Sequence, residues 1–463
     1  MTIRQQEIHY GAHREQGGER WESSSVASGF FVVRSPLHGE KDNMAGTQAT
    51  DTRIRARYGA AAHARERGKL PNPYPRTIGP NAMKYLQEVV DSGLTVDMTG
   101  RFEKAFAEKL GVKHCIATPG CTPALAALAA AFDFEPADEI IVSPITDYGT
   151  IQGLCSEHYI PVFADTEPGS PNLSAATIEP LITERTRAIL VVHKTGIICD
   201  MDPINELASR HGLIVYEDAC QAVMGRYKGR LAGTLAHAAG FSFDSEKTMG
   251  SDTGGCVITD DDKLAERIRF IAHSRGAEMV PHFGRVHVER GYAYRMPQCT
   301  AAICLAQLEI VEEQVAQRDR MIRYLGRLLA GVPGIRPLPI PDYVDVYSCW
   351  MAGFSIEPEQ FRCSAEEFAR QVAEEGITGA GLGKYYLMPA ACTFLQRQAE
   401  GKDYPFSMPP ASRKHHYGAD NCPNAKAFLE NFVRWSTFCE KYTEADCELA
   451  AEIVASVARR NQA

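Results

Sequence analysis

Two residues of this chain have the types and the placing for covalent chemistry on a carbonyl compound: Asp218, which closes the apolar run Leu213–Glu217, and Lys247, which lies just past the run Ala239–Phe243. A lysine amine can bond an aldehyde carbon, and an ionised carboxylate can keep a heteroaromatic nitrogen protonated so that the ring accepts electrons. That pairing suits a pyridoxal 5'-phosphate site. On these residues alone other readings stay open: a lysine near a strand end is commonly a solvated charge, and Asp218 with Gln221 could be two polar caps of a helix start.

Such a pair needs elements that bring it to one place. Six short apolar runs, Glu139–Ser143, Tyr159–Phe163, Arg187–Val192, Leu213–Glu217, Ala239–Phe243 and Gly255–Thr259, alternate with stretches of helical spacing. The alternation predicts an α/β fold with a mainly parallel sheet between helices, whose ligands sit at the strand carboxyl ends, where Asp218 and Lys247 both fall. Gly120–Cys121–Thr122 stands between the apolar Cys115–Ile116–Ala117 and the helical Ala124–Leu128. It offers backbone amides at a helix start together with a hydroxyl, the donor set a phosphate needs.

Several segments follow one another in a telling order: Ile78–Gly79–Pro80 through Ser92–Gly93, Leu110–Gly111–Val112–Lys113–His114, Glu217–Asp218–Ala219–Cys220–Gln221–Ala222, Ser242–Phe243 with Lys247, Gly254–Gly255–Cys256–Val257–Ile258–Thr259–Asp260, and Gly291–Tyr292–Ala293–Tyr294–Arg295–Met296. The ordered set resembles the DegT/DnrJ/EryC1/StrS sugar aminotransferase family, enzymes of fold-type I. The resemblance implies pyridoxal 5'-phosphate as cofactor, Lys247 as the imine-forming amine and proton carrier, Asp218 on the pyridine nitrogen and Gln221 on the phenolic oxygen. It puts Gly120, Cys121 and Thr122 at the phosphate, with Cys121 standing where the family has glycine, and Ser242 as a second phosphate hydroxyl. Tyr148 is the aromatic candidate for stacking on the ring, with Asp147 as the alternative occupant of that position. Family members with histidine at the lysine position are dehydratases, so Lys247 implies transamination. Two departures stand out: Ala293 replaces an asparagine that crosses the dimer interface to the partner's phosphate, and Asp244 takes a place often held by histidine.

The 463 residues are 44% hydrophobic, enough for a large core, and the formal net charge of −9 argues against general nucleic-acid or anionic-membrane binding. Fourteen scattered cysteines without paired metal spacing read as reduced thiols of a cytoplasmic protein, with no metal site. We expect a flexible extension over residues 1–70, a large cofactor-binding domain over 71–330 and a smaller C-terminal α+β domain over 331–463, after the breaker Gly331–Val332–Pro333–Gly334. The expected activity is amino transfer from glutamate or glutamine to a keto group of a sugar, cyclitol or related intermediate in natural-product biosynthesis, by a homodimer with composite sites. A dehydratase or ring-forming enzyme of the same fold, or a non-catalytic cofactor-binding regulator, are the alternatives. His193, Lys194 and Thr195 follow the strand run and could face the substrate, although a polar cluster at a strand end is more often solvated, and His415–His416 are a lesser candidate for substrate contact.

Overall fold

The computed structural model describes residues 69–463 except 402, 407, 408 and 412, so the expected N-terminal extension lies outside the described residues but for its last two positions. Seven strands form the central sheet: β1 (His114–Thr118), β2 (Glu139–Val142), β3 (Ile160–Phe163), β4 (Thr186–Val192), β5 (Ile214–Asp218), β6 (Ala238–Ser242) and β7 (Gly255–Thr259). Their order is β1-β7-β6-β5-β4-β2-β3, with β7 antiparallel to both neighbours and every other pairing parallel. Most strand residues are buried, because helices cover both faces; this is why the runs read as continuously apolar and not as alternating. The helix Cys121–Phe132 is sunk among them, with seven of its residues buried, and its alanines allow a close approach to the sheet. In register, Asp218 lies opposite Val192 on one side and Gly240 on the other, so the ends of β4, β5 and β6 form one rim.

A second sheet of four antiparallel strands comes from the C-terminal part: Ile335–Pro337, Ala352–Ile356, Phe432–Trp435 and Ala380–Leu382, in that spatial order. The last helix starts at Thr443, whose hydroxyl and Asp446 cap one another, and runs Glu444–Asn461. Residues 298–329 form two helices, Gln298–Leu308 and Val311–Leu329. The first is buried nearly all round while the second is amphipathic, and the break between them directs Glu309 to accept hydrogen bonds from Asn81 and Tyr85. A hairpin, Ala277–Val280 with Gly284–His287, was not expected, since its strands are short and lack an apolar alternation. No helix among the described residues is long and apolar enough to cross a membrane.

Candidate active site

The rim of β4, β5 and β6 carries the residues singled out above. Asp218 ends β5 and is 2% exposed. Its Oδ2 accepts from the Thr150 hydroxyl at 2.7 Å, and its Oδ1 from the Cys220 amide at 3.2 Å. Because Thr150 gives its only hydroxyl hydrogen to Asp218, the Thr146 hydroxyl donates to Thr150 at 2.6 Å. The carboxylate is thus aimed by a short relay from the loop after β2, and its remaining lone pairs can accept from a ring N–H.

Lys247 lies in the turn that follows β6, and its Nζ sits 4.2 Å from the centroid of the Trp350 ring. The turn is held from outside. Arg76 donates to the carbonyls of Ser245 (2.7 Å), Lys247 and Thr248 (3.2 Å), and the Trp350 indole donates to the Glu246 carbonyl at 2.9 Å. From inside, Phe243 anchors the turn by edge-on contacts with Phe102 and Phe106 at 5.3 and 5.4 Å. Burial works to lower the Lys247 pKa, yet Cys220, Asp218, Cys121 and Asp244 together outweigh it, and the net shift is upward. The neutral amine expected from burial is therefore not the resting form here; the neighbouring acids favour the ammonium.

Gly120 precedes the helix Cys121–Phe132, and the amides of Cys121 and Thr122 have no acceptor within the helix. Gly255 makes this approach possible: a Cβ there would come within 2.4 Å of the Gly120 carbonyl carbon and 2.6 Å of the Cys121 nitrogen. Gly149 does the same for the hydroxyl of Thr122, which a Cβ would meet at 2.4 Å. Cys121 is absent from the residues with positive φ, so the helix start holds a side chain where the family has glycine without backbone strain. Ser242 ends β6 opposite Gly255 and is 7% exposed. Gln221 accepts from the Thr195 amide through Oε1 at 2.7 Å, which leaves its NH2 as the free donor.

Tyr148 does not join this group. Its ring is 42% exposed and packs edge-on against Phe394, while Asp147 caps the helix that Tyr148 begins. His193, Lys194 and Thr195 are not solvated as their composition suggests: all three are buried. The Cys199 amide donates to His193 Nδ1, so the ring hydrogen is on Nε2, which donates to Glu217 at 2.8 Å. Glu217 in turn accepts from the Gly233 and Leu235 amides, a closed network beneath the site. His415 and His416 belong elsewhere, beside Glu139 at the opposite, amino end of β2 and beside exposed Asp420. Tyr292 and Tyr294 stack on each other, with Tyr292 donating to Glu157, and Ala293 between them is exposed.

The donor atoms of Cys121, Asp218 and Cys220 come within 4.8 Å of one another, the geometry of a small metal site among the described residues. The hydrogen bond to Cys220, burial and the Asp218 charge all push the Cys121 thiol up, however, and a protonated thiol is a poor ligand. The same residues fit a phosphorylated pyridine aldehyde better. Lys247 would supply the amine, Asp218 the ring-nitrogen acceptor, Gln221 a donor for the phenolic oxygen, and Gly120–Thr122 with Ser242 the phosphate cradle. When bound, that cofactor supplies an electron sink for a carbon next to an amino group. The residues around it would orient the ring and place Lys247 Nζ, beside the Trp350 indole, to take up and return a proton.

This arrangement on this sheet defines a pyridoxal phosphate-dependent aminotransferase of fold-type I. A model of the DegT/DnrJ/EryC1/StrS aminotransferase family matches residues 76–419, and the chain belongs to that family. It is 42% identical over 260 residues to the GDP-perosamine synthase of Caulobacter vibrioides, an alignment that covers 55% of this chain and 69% of that one. To the spore coat polysaccharide biosynthesis protein SpsC of Bacillus subtilis it is 33% identical over 275 residues, 58% of this chain and 70% of the other. Among solved structures, 3-amino-5-hydroxybenzoic acid synthase superposes with a TM-score of 0.72 at 25% identity, covering 85% of this chain and all of that one.

Proposed function

We propose that the enzyme moves an amino group from L-glutamate or L-glutamine onto the keto group of a sugar, cyclitol or related intermediate of natural-product biosynthesis, through Lys247, Asp218, Gln221, Ser242 and Gly120–Thr122. The observation that carries this reading is the convergence of Asp218 and Lys247 on one buried rim, each aimed by neighbours that leave its reactive atom free. Support for the acceptor class comes from the relatives, whose names concern a perosamine, a coat polysaccharide and an aminated benzoic acid. The reaction runs in two halves: the donor's amino group is left on the enzyme, then handed to the acceptor, with Lys247 moving the proton each time.

We place the enzyme in the cytoplasm as a homodimer. The exposed apolar side chains of the hairpin region, Met279, Phe283 and Val288, support an interface there, next to Tyr292–Arg295. The test is the absorbance spectrum of wild type and Lys247→Ala before and after L-glutamate or L-glutamine. A band near ~420 nm, found only in the wild type and shifted by the donor, is expected of a lysine-linked cofactor. No bound chromophore after soaking in pyridoxal phosphate would refute the proposal.

A further inference from the structure

Beside Lys247 the rim holds a second lysine for which the chemistry above has no use. Lys194, in the segment that leaves β4, is 3% exposed, and its Nζ is buried with no hydrogen-bond acceptor among the described residues. Its nearest company is the face of Tyr386, 3.3 Å from Nζ to the ring centroid. The Trp350 centroid lies 5.9 Å away, and the Lys247 amine is 4.2 Å from that same indole, so the two lysines open onto one aromatic wall. The backbone that carries Lys194 is pinned. Its amide donates to Asn172 at 3.2 Å, Thr195 donates to Gln221, and the Trp350 amide donates to the Thr195 carbonyl at 2.9 Å. Thr195 is held at φ 61°, an uncommon conformation for a β-branched residue, which only a well-fixed surrounding maintains.

The groups that face Lys194 electrostatically are the Lys247 ammonium, the Cys220 thiol and the carboxylates of Asp147 and Asp218. Burial first, and then Lys247, bring its pKa down to about 7. An aromatic face attracts a cation, but it does not replace the acceptors that an ammonium loses on leaving water. With a cofactor in place, the ring nitrogen takes Asp218 and the helix start takes the phosphate, so of the acids that face Lys194 only Asp147 is left, and Asp147 caps the helix Tyr148–Ser156 and makes no hydrogen bond to Nζ. We propose that Lys194 Nζ binds the carboxylate of a substrate whose reacting carbon lies over Lys247, so that an acidic substrate is what the site selects. This rests on the aminotransferase reading above. The carboxylate has two sources, the α-carboxylate of the amino-acid donor or an acid group on the keto acceptor.

The experiment uses cofactor-loaded wild type, Lys194→Met and Lys194→Arg, with calorimetric binding of L-glutamate, L-isoglutamine (whose α-carboxylate is an amide) and the ring keto acid 3-oxocyclohexanecarboxylate against cyclohexanone. An at least tenfold weaker binding of L-glutamate by Lys194→Met, partly restored in Lys194→Arg, with L-isoglutamine weak for all three proteins, supports the proposal and assigns the donor. Unchanged glutamate binding with a tenfold loss for the ring keto acid alone supports it and assigns the acceptor. Equal affinities in wild type and Lys194→Met, or no measurable binding of either acid by the wild type, overturn it. A changed cofactor absorbance in Lys194→Met with unchanged acid binding also overturns it, by putting the amine on the cofactor's phenolic oxygen. If no protein holds the cofactor, it is the aminotransferase reading that fails, and the spectrum reports this before any acid is added.

Discussion

The two ends of the parallel strands treat buried charge in opposite ways. At the amino end, Glu139 accepts from Arg413 through both oxygens, at 2.8 and 3.0 Å, and from Thr183 at 2.6 Å, with His415 at 3.3 Å. Burial opposes the charge, but His415 beside it and the bonds from Thr183 and Arg413 hold this carboxyl below its usual range. At the carboxyl end Asp218 and Lys194 are as deeply buried and Lys247 is half-buried, yet the lysine amines have aromatic faces for neighbours and Asp218 keeps lone pairs unused. A charge that serves the fold is saturated by its own chain. A charge that serves a ligand is aimed by its chain and left open, at a cost in stability.

Substitutions at the two ends should separate these roles. The largest effect expected is on turnover at the open end: Lys247→Ala removes the amine proposed to attach the cofactor and move the proton, and amino transfer should fall more than about a thousandfold. Its urea midpoint in the cofactor-free protein falls only slightly, because the ammonium that is lost is favoured by the neighbouring acids but forms no hydrogen-bonded pair. Next comes the closed end. Arg413→Ala leaves Glu139 buried and short of its main partner and costs about 2–3 kcal/mol of unfolding free energy, less than a fully buried pair because Arg413 is 34% exposed. Denaturant titration checks this, and an unchanged cofactor affinity in the same variant keeps the two ends distinct.

Asp218→Asn should weaken cofactor binding by about 2 kcal/mol, the scale of one hydrogen bond to a charged group, or roughly thirtyfold. The smallest effect concerns Lys194 in the cofactor-free protein. Its folded pKa, about 7, lies below the unfolded value, so between these limits the unfolded chain binds more protons and stability rises with pH. From pH 6.5 to 8 the wild type should gain about 1–2 kcal/mol relative to Lys194→Met. Parallel stability curves for the two proteins would show that Lys194 titrates as a solvated group.

Much of this was legible in the sequence, and for a physical reason. Strands buried on both faces must be apolar throughout, so β2 to β7 announce themselves, and a charged residue just past such a run stands out, as Asp218 and Lys247 do. Lys194 sends the same signal after β4 and reads as solvated only because its partners, Tyr386 and Trp350, come from more than 150 residues downstream. Arg76 is likewise invisible in sequence, since what it binds are backbone carbonyls around Lys247. Tyr148 shows the converse: aromatic type and approximate spacing suggest stacking, but the cap formed by Asp147 turns its ring outward to Phe394. The helix break near Ile310 leaves no glycine or proline for a reader to find.

The central claim is that Lys247, and not its neighbour Lys194, is the amine that carries the cofactor. Borohydride reduction of the pyridoxal phosphate-loaded wild type, followed by proteolysis and mass spectrometry, tests it directly. The account predicts the reduced cofactor on the peptide containing Lys247, with Lys194 unmodified. A label on Lys194, or on neither lysine, would contradict it.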